Sequence, residues 1–425
     1  MKGRGEALLI IMRKSLLFLL AALAVTAGAQ QLKPKKVAEA RQRVWSQWQQ
    51  RFEKQSRQNL PCQELTNGWY FTWNLPAELE PDAEWNYYWG YKGDNSQPLP
   101  LFVYIHGSGP REMEWKTGYQ LARMFDDAPC YYYIPQIPHE GQWYRWYQRS
   151  KQWAYERLFT LAFASGRIDP DRLYLFGISE GGYGSQRLAS FYADYLAAAG
   201  PMAGGEPLKN APVENCGNIG FSLLTGTQDK GFYRDELTYW TQQAFDSLQV
   251  RYPGRYAHRI NLIPGRGHHI DYRLTTPWLS HFRRNAQPRA FDWEDFEMDG
   301  RRRDGFYNLQ VLRRSDAYRQ MYRMGIDGQT VRLTVEDIAY TTTQRDSLFG
   351  IEMRFARTFT PSTTGKVRLY LSEELVDIAQ PVTVYLNDRK VFHGRLDLDE
   401  RWLHESLSLF GDPRRIFPAA VELEL

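Results

Sequence analysis

Six near-continuous apolar runs alternate with helical patterns between residues 99 and 284. The runs are "LFVYIH" from Leu101, "CYYYIPQIP" from Cys130, "DRLYLFG" from Asp171, "DYLAAAGPMAG" from Asp194, "IGFSLLTG" from Ile219 and "HRINLIPG" from His258. A strand that is apolar on successive residues is apolar on both faces, so its sheet must be covered on both sides. The stretches that can cover it have helical periodicity, around 112–126, 151–165, 181–192, 233–249 and 275–284. Strands and helices in this alternation predict βαβ units, hence an α/β domain over 99–288 with a mostly parallel sheet flanked by helices.

The pattern changes on both sides of that core. After about residue 286, "VRLTVEDI", "IEMRFARTF", "KVRLYLS" and "VTVYLNDRKVFHG" alternate with period two, which predicts a separate all-β, sandwich-like module over 305–425. Asn387-Asp388 reads as a hairpin turn within it. Upstream, Val37, Val44, Trp48 and Phe52 fall on one face of an expected amphipathic helix over 36–57. With the aromatic runs "GWYFTWNLP" and "WNYYWGYK", it makes 30–98 a helix and strands packing on the α/β body.

The first 29 residues read as a leader, in which 1–11 are an upstream extension. Met12-Arg13-Lys14 is a basic head, "SLLFLLAALAV" an apolar run, and Ala27-Gly28-Ala29 a small-x-small cleavage site. The apolar run is short for a membrane span, and no cysteine follows it to take a lipid. The expectation is cleavage after Ala29 and export to the periplasm or beyond, without a membrane span. Cys62, Cys130 and Cys216 then allow either one disulfide or three buried thiols. A net charge of +4 without a long basic run argues against nucleic acid as a partner.

Chemistry enters at "LYLFGISEGGYGSQ" from Leu173. Gly-x-Ser-x-Gly alone is a weak signal, but here it follows an apolar strand and precedes a helix, as a nucleophile elbow does. A serine at such a turn needs a base, because a free hydroxyl is a poor nucleophile at neutral pH. In chain order the partners come as acid, then histidine. Asp229 lies past the strand ending at Gly226, with Asp235 and Asp271 as weaker acids. His268 and His269 lie past the next strand, and the Gly-x-Gly-His context favours His268. Two backbone N–H groups are expected to receive an oxyanion: that of Glu180, after the nucleophile, and that of Ser108 in "HGSG", with Gly107 next. His106 is expected to be structural. Adjacent histidines on a loop lack zinc-motif spacing, so no metal and no cofactor is expected.

The segments "YIHGSGP", "RIDPDRLYLFGISEGGYG", "LLTGTQD" and "IPGRGHHIDY" together resemble the α/β-hydrolase superfamily. More narrowly they resemble secreted bacterial esterases of the dienelactone hydrolase, polyhydroxybutyrate depolymerase and feruloyl esterase type, which border the prolyl oligopeptidases. The resemblance spans about residues 100 to 285. It implies a Ser179, Asp229, His268 triad acting on an ester or related acyl bond. Two residues depart from the pattern: Glu180 directly after the serine, and His269 after the base.

In "HEGQWYRWYQRSKQW", Trp143 and Tyr144, with Trp146 and Tyr147, read either as a platform for a sugar or aromatic acyl group or as core and lid packing. The leading expectation is an exported serine esterase acting on small-molecule or polymer-linked esters, including acyl groups on polysaccharide. The alternatives are a serine peptidase of the prolyl oligopeptidase kind, for which 30–98 is too short to hold a propeller, and a non-catalytic carbohydrate-binding protein. A carboxylate beside an oxyanion would be unfavourable, so the Glu180 side chain is expected to turn towards a basic or hydrogen-bonding partner.

Overall fold

The structure, a computed structural model, describes residues 31–55 and 60–425, without the side chains of 52–55 and 67. The expected leader and the Phe52 side chain lie outside the described residues. Among these, no helix is long and apolar enough to cross a membrane.

Eight strands form the central sheet: β1 (Tyr70–Asn74), β2 (Glu84–Lys92), β3 (Leu99–Ile105), β4 (Cys130–Pro135), β5 (Ile168–Ile178), β6 (Ala198–Met202), β7 (Gly220–Gly226) and β8 (His258–Ile263). Their order is β1-β2-β4-β3-β5-β6-β7-β8. The β1–β2 and β2–β4 pairings are antiparallel and all others parallel. This is the mostly parallel sheet, flanked by helices, that the sequence predicts. The two aromatic runs upstream of residue 99 extend this same sheet at its antiparallel edge, so the α/β body begins near residue 70.

Double-sided burial is visible residue by residue. Leu101, Val103 and Ile105 of β3 enter one core, and Phe102 and Tyr104 the other. Five helices cover the faces: α2 (Arg111–Met124), α3 (Arg149–Ala164), α4 (Glu180–Tyr192), α5 (Arg234–Arg251) and the short α6 (Thr275–Leu279). The N-terminal helix α1 (Val37–Gln55) buries Val37, Ala40 and Val44 in the first core, with Trp48 packed against it.

The C-terminal module has two sheets. One runs β10 (Gly305–Phe306), β11 (Leu309–Arg313), β15 (Lys366–Leu371) and β18 (Ala419–Glu424). The other runs β17 (Arg389–Gly394), β16 (Val382–Leu386), β13 (Thr330–Arg345), β12 (Gln320–Asp327) and β9 (Ala290–Asp295), with β14 (Glu352–Pro361) paired to β13. The expected turn is present: Asn387 and Asp388 join β16 to β17, both with positive φ (46° and 62°), as a type I′ hairpin requires.

Two expectations for the module are corrected. It begins at β9, near 290, rather than at 305, because β9 pairs along β12. It is also not all-β: helix α7 (Glu400–Phe410) lies within it, capped by the Asp399 carboxylate on the Arg401 N–H and ended by Gly411 at φ 58°.

The module and the α/β body share one apolar core and a buried ion network. Asp194, just after α4, is bound by the guanidinium groups of Arg303 and Arg415. Asp412 joins Arg415 (2.7 Å) to Arg284 (2.8 Å). Burial alone would raise the Asp194 pKa, but Arg303 and Arg415 hold it below the usual carboxylate range.

Candidate active site

Ser179 sits between β5 and α4 at φ 58°, ψ −113°, a backbone conformation that costs about 1–3 kcal/mol for a residue with a side chain. The glycines around it are required by contact. A Cβ on Gly177 would lie 2.4 Å from the Gly181 carbonyl oxygen, and one on Gly181 would lie 2.0 Å from that of Ile105. A Cβ on Gly182 would meet the Met202 oxygen at 2.4 Å. The turn is held further by the Ser179 N–H on the Met202 carbonyl, 2.9 Å.

Three side chains from three strand ends meet at this turn. His268 Nε2 lies 3.0 Å from Ser179 Oγ, and His268 Nδ1 lies 2.8 Å from Asp229 Oδ2. A carboxylate can only accept, so Nδ1 carries the proton and Nε2 is left to accept from the serine hydroxyl. His269 is exposed and lies outside this chain of contacts. Asp235 bonds Lys230, and Asp271 bonds Arg273 and the Arg273 N–H. Neither touches His268.

The acid and histidine loops are fitted to each other. The Gln228 N–H bonds the Arg266 carbonyl at 2.8 Å, and a Cβ on Gly226 would fall 2.2 Å from that same oxygen. Asp229 is buried, and its second oxygen accepts from Arg234 Nη1 at 2.8 Å. Arg234 has no motif to mark it; its position five residues beyond Asp229, at the start of α5, is the only sequence clue.

The loop after β3 passes directly beside the serine: a Cβ on Gly107 would lie 3.5 Å from Ser179 Cβ. Ser108 is exposed on this loop, and the next N–H, that of Gly109, is taken by Glu114 Oε1 at 3.2 Å. Glu180 opens α4, where the first-turn N–H groups have no intrahelical acceptor. His106 is fully buried, with Nδ1 on the Gly107 carbonyl (2.8 Å) and Nε2 accepting from the Ile137 N–H (3.2 Å). Burial pushes its pKa down to about 4, so it is a neutral brace at ordinary pH.

Tyr144 does not form the expected substrate surface. It is buried, and its hydroxyl donates to the Gly107 carbonyl at 2.7 Å with Gly109 O at 3.1 Å. Trp146 is likewise buried, its indole N–H on the His106 carbonyl at 2.9 Å. Both brace the loop from behind. Trp143 keeps a partly exposed ring, with the Lys151 ammonium 5.6 Å from its centroid.

The Glu180 carboxylate is buried beside the elbow. Oε2 lies 3.4 Å from Arg145 Nη1, and Oε1 has no hydrogen-bond partner. The expected basic partner is therefore present on one oxygen only. Burial raises its pKa to about 7; Arg145 opposes the rise and Glu206 adds to it. Cys62, Cys130 and Cys216 are all free thiols.

No family model matches the chain, and no curated protein matches it either. Among solved structures it is similar to a thermostable esterase, with 19% identity and a TM-score of 0.38, over 51% of this chain and 63% of that one. It is also similar to a poly(3-hydroxybutyrate) depolymerase from Bordetella parapertussis, with 15% identity and a TM-score of 0.37, over 48% and 86% of the two chains. An S-formylglutathione hydrolase from Agrobacterium tumefaciens is similar at 15% identity and a TM-score of 0.37, over 50% and 91%. The chain thus spans just under two-thirds of the esterase's length.

Proposed function

We propose that the protein is a serine hydrolase that cleaves carboxylic esters. The observation that carries this reading is the run of contacts from Asp229 through His268 to Ser179 Oγ, at 2.8 and 3.0 Å, on a strained strand-to-helix turn. In this reading the Ser179 oxygen attacks the ester carbonyl while His268 Nε2 takes its proton. The backbone N–H groups of Glu180 and Ser108 receive the oxyanion. Collapse expels the alcohol, which takes the proton from His268, and leaves an acyl ester on Ser179. Water, deprotonated by His268, then releases the carboxylic acid and restores the serine. Asp229 holds the imidazole in the Nδ1–H tautomer and stabilises the imidazolium in each half-reaction.

The finer reading is an exported enzyme acting on esters of the kind borne by polysaccharides. The basic, apolar and small-residue sequence of the first 29 residues supports export. The partly exposed Trp143 ring offers an aromatic surface for such a substrate.

A fluorophosphonate probe tests the reading: it is expected to label the wild type and not Ser179→Ala. Equal labelling of both refutes it by placing the reactive group elsewhere, and labelling of neither refutes it and favours a binding protein. Turnover of p-nitrophenyl acetate without turnover of an aminoacyl-p-nitroanilide is expected. The reverse result would make the protein a peptidase.

A further inference from the structure

The hairpin β13–β14 is long, sixteen and ten residues, and only part of it belongs to the module's sheet. The remainder lies along the α/β body. Glu352 meets Lys209 at 2.9 Å, Arg354 lies over the Trp240 ring at 4.1 Å, and Arg357 meets Glu214 at 2.7 Å. Its turn, Asp346 to Gly350, ends on the segment that links the acid to α5. Asp346 Oδ1 accepts from the Tyr233 hydroxyl at 2.6 Å, and the Phe349 ring lies 4.6 Å from that of Phe232. Asp346 also folds the turn itself, accepting from the N–H groups of Leu348 and Phe349.

Phe232 and Tyr233 are two consecutive aromatic residues in the left-handed region, at φ 53° and 58°. A bulky residue rarely adopts that conformation, and two in succession persist only where surrounding contacts hold them. The next residue is Arg234, whose guanidinium binds Asp229 Oδ1 and lies 5.5 Å from the Phe232 ring. The Asp235 N–H bonds the Asp229 carbonyl at 3.3 Å. Arg234 thus joins the Phe232 ring, which the turn touches, to the acid.

We propose that the β13–β14 hairpin of the C-terminal module is a positioning arm for the acid loop: Asp346 and Phe349 hold Phe232 and Tyr233 in their left-handed conformation, and so set Arg234 and Asp229 against His268. The inference rests on the serine-hydrolase reading for its catalytic consequence. Its structural part stands on the contacts alone. Asp346, Phe349, Phe232 and Tyr233 are positioning residues, since none touches the reacting atoms.

Two readouts test it on the full chain, with Tyr233→Phe, Phe349→Ala and the ring-retaining Phe349→Tyr. Leu348→Ser, on the same turn and 73% exposed, is the control. Amide hydrogen exchange over 229–236 is expected to quicken at least tenfold in Tyr233→Phe and Phe349→Ala, with the β5–β7 amides unchanged. For p-nitrophenyl acetate, kcat is expected to fall at least fivefold with KM within twofold, and Phe349→Tyr is expected to restore both readouts. The control is expected to match the wild type. Unchanged exchange over 229–236 overturns the proposal, as does faster exchange with unchanged kcat. A wild type that hydrolyses no ester refutes the proposed function instead, and the exchange result still decides whether the arm holds the loop.

Discussion

Glu180→Gln isolates the one carboxylate that lies beside the elbow without full pairing. In the folded protein its pKa is raised to about 7, from an ordinary 4.5, chiefly by burial. The unfolded chain therefore ionises this group at lower pH than the folded one does. Stability contributed by the protonated form is present below about pH 4.5 and is lost as pH rises towards 7. A shift of this size is worth roughly 3 kcal/mol once both states are ionised. Glutamine has nearly the same shape and does not titrate. The variant should therefore gain on the wild type as pH rises, by about 2–3 kcal/mol between pH 5 and pH 8. Every other titrating group is common to both proteins, so the difference between their urea unfolding curves at the two pH values isolates Glu180. The backbone N–H at 180 is unaltered, so fluorophosphonate labelling at pH 8 should be retained. A stability difference that is the same at pH 5 and pH 8 would refute the reasoning, and would mean that Arg145 neutralises the carboxylate outright.

Other substitutions test the remaining parts. Asp229→Asn should lower kcat by about 10³–10⁴-fold while leaving KM near its original value, because the imidazole loses its tautomer-setting acceptor; steady-state kinetics on p-nitrophenyl acetate measure this. Gly181→Ala brings a Cβ to 2.0 Å from a backbone oxygen, so it should abolish both soluble yield and probe labelling. Tyr144→Phe strips the hydroxyl from the buried Gly107 carbonyl and the partly buried Gly109 carbonyl, and should cost about 1–3 kcal/mol in urea unfolding. A chain ending at residue 288 would leave Asp194 buried without Arg303 and Arg415, a loss of about 3–5 kcal/mol before any lost core is counted. It should show no cooperative thermal transition by circular dichroism.

The elbow was legible because its constraint is local and steric: a strand, a turn too tight for side chains, then a helix. Asp229 and His268 were legible because a parallel sheet brings successive strand ends to one edge. Arg234, Arg145 and Glu114 were not, since each acts through a contact set by tertiary packing, and an isolated charge on a loop or helix carries no period. Tyr144 shows the limit of reading an aromatic cluster: a ring that braces a loop through its hydroxyl has the same sequence signature as one that faces a ligand. The strand β9 was hidden by its chemistry. Glu294 and Asp295 look like surface residues in "AFDWED", yet both are buried and bound to Arg319 and Arg314. Helix α7, by contrast, left readable marks in its Asp399 cap and Gly411 stop.

The ion network around Asp194 also has a consequence in time. One counter-charge, Arg415, is made 221 positions after the aspartate it neutralises. A ribosome producing this chain has finished β5, the elbow and α4 long before that arginine leaves the exit tunnel. Until then Arg303, made 109 positions after Asp194, is the module's first counter-charge to it, and the second is still missing. A chain stalled within the module, before residue 412, therefore holds Asp194 without the Arg415–Asp412–Arg284 part of its network.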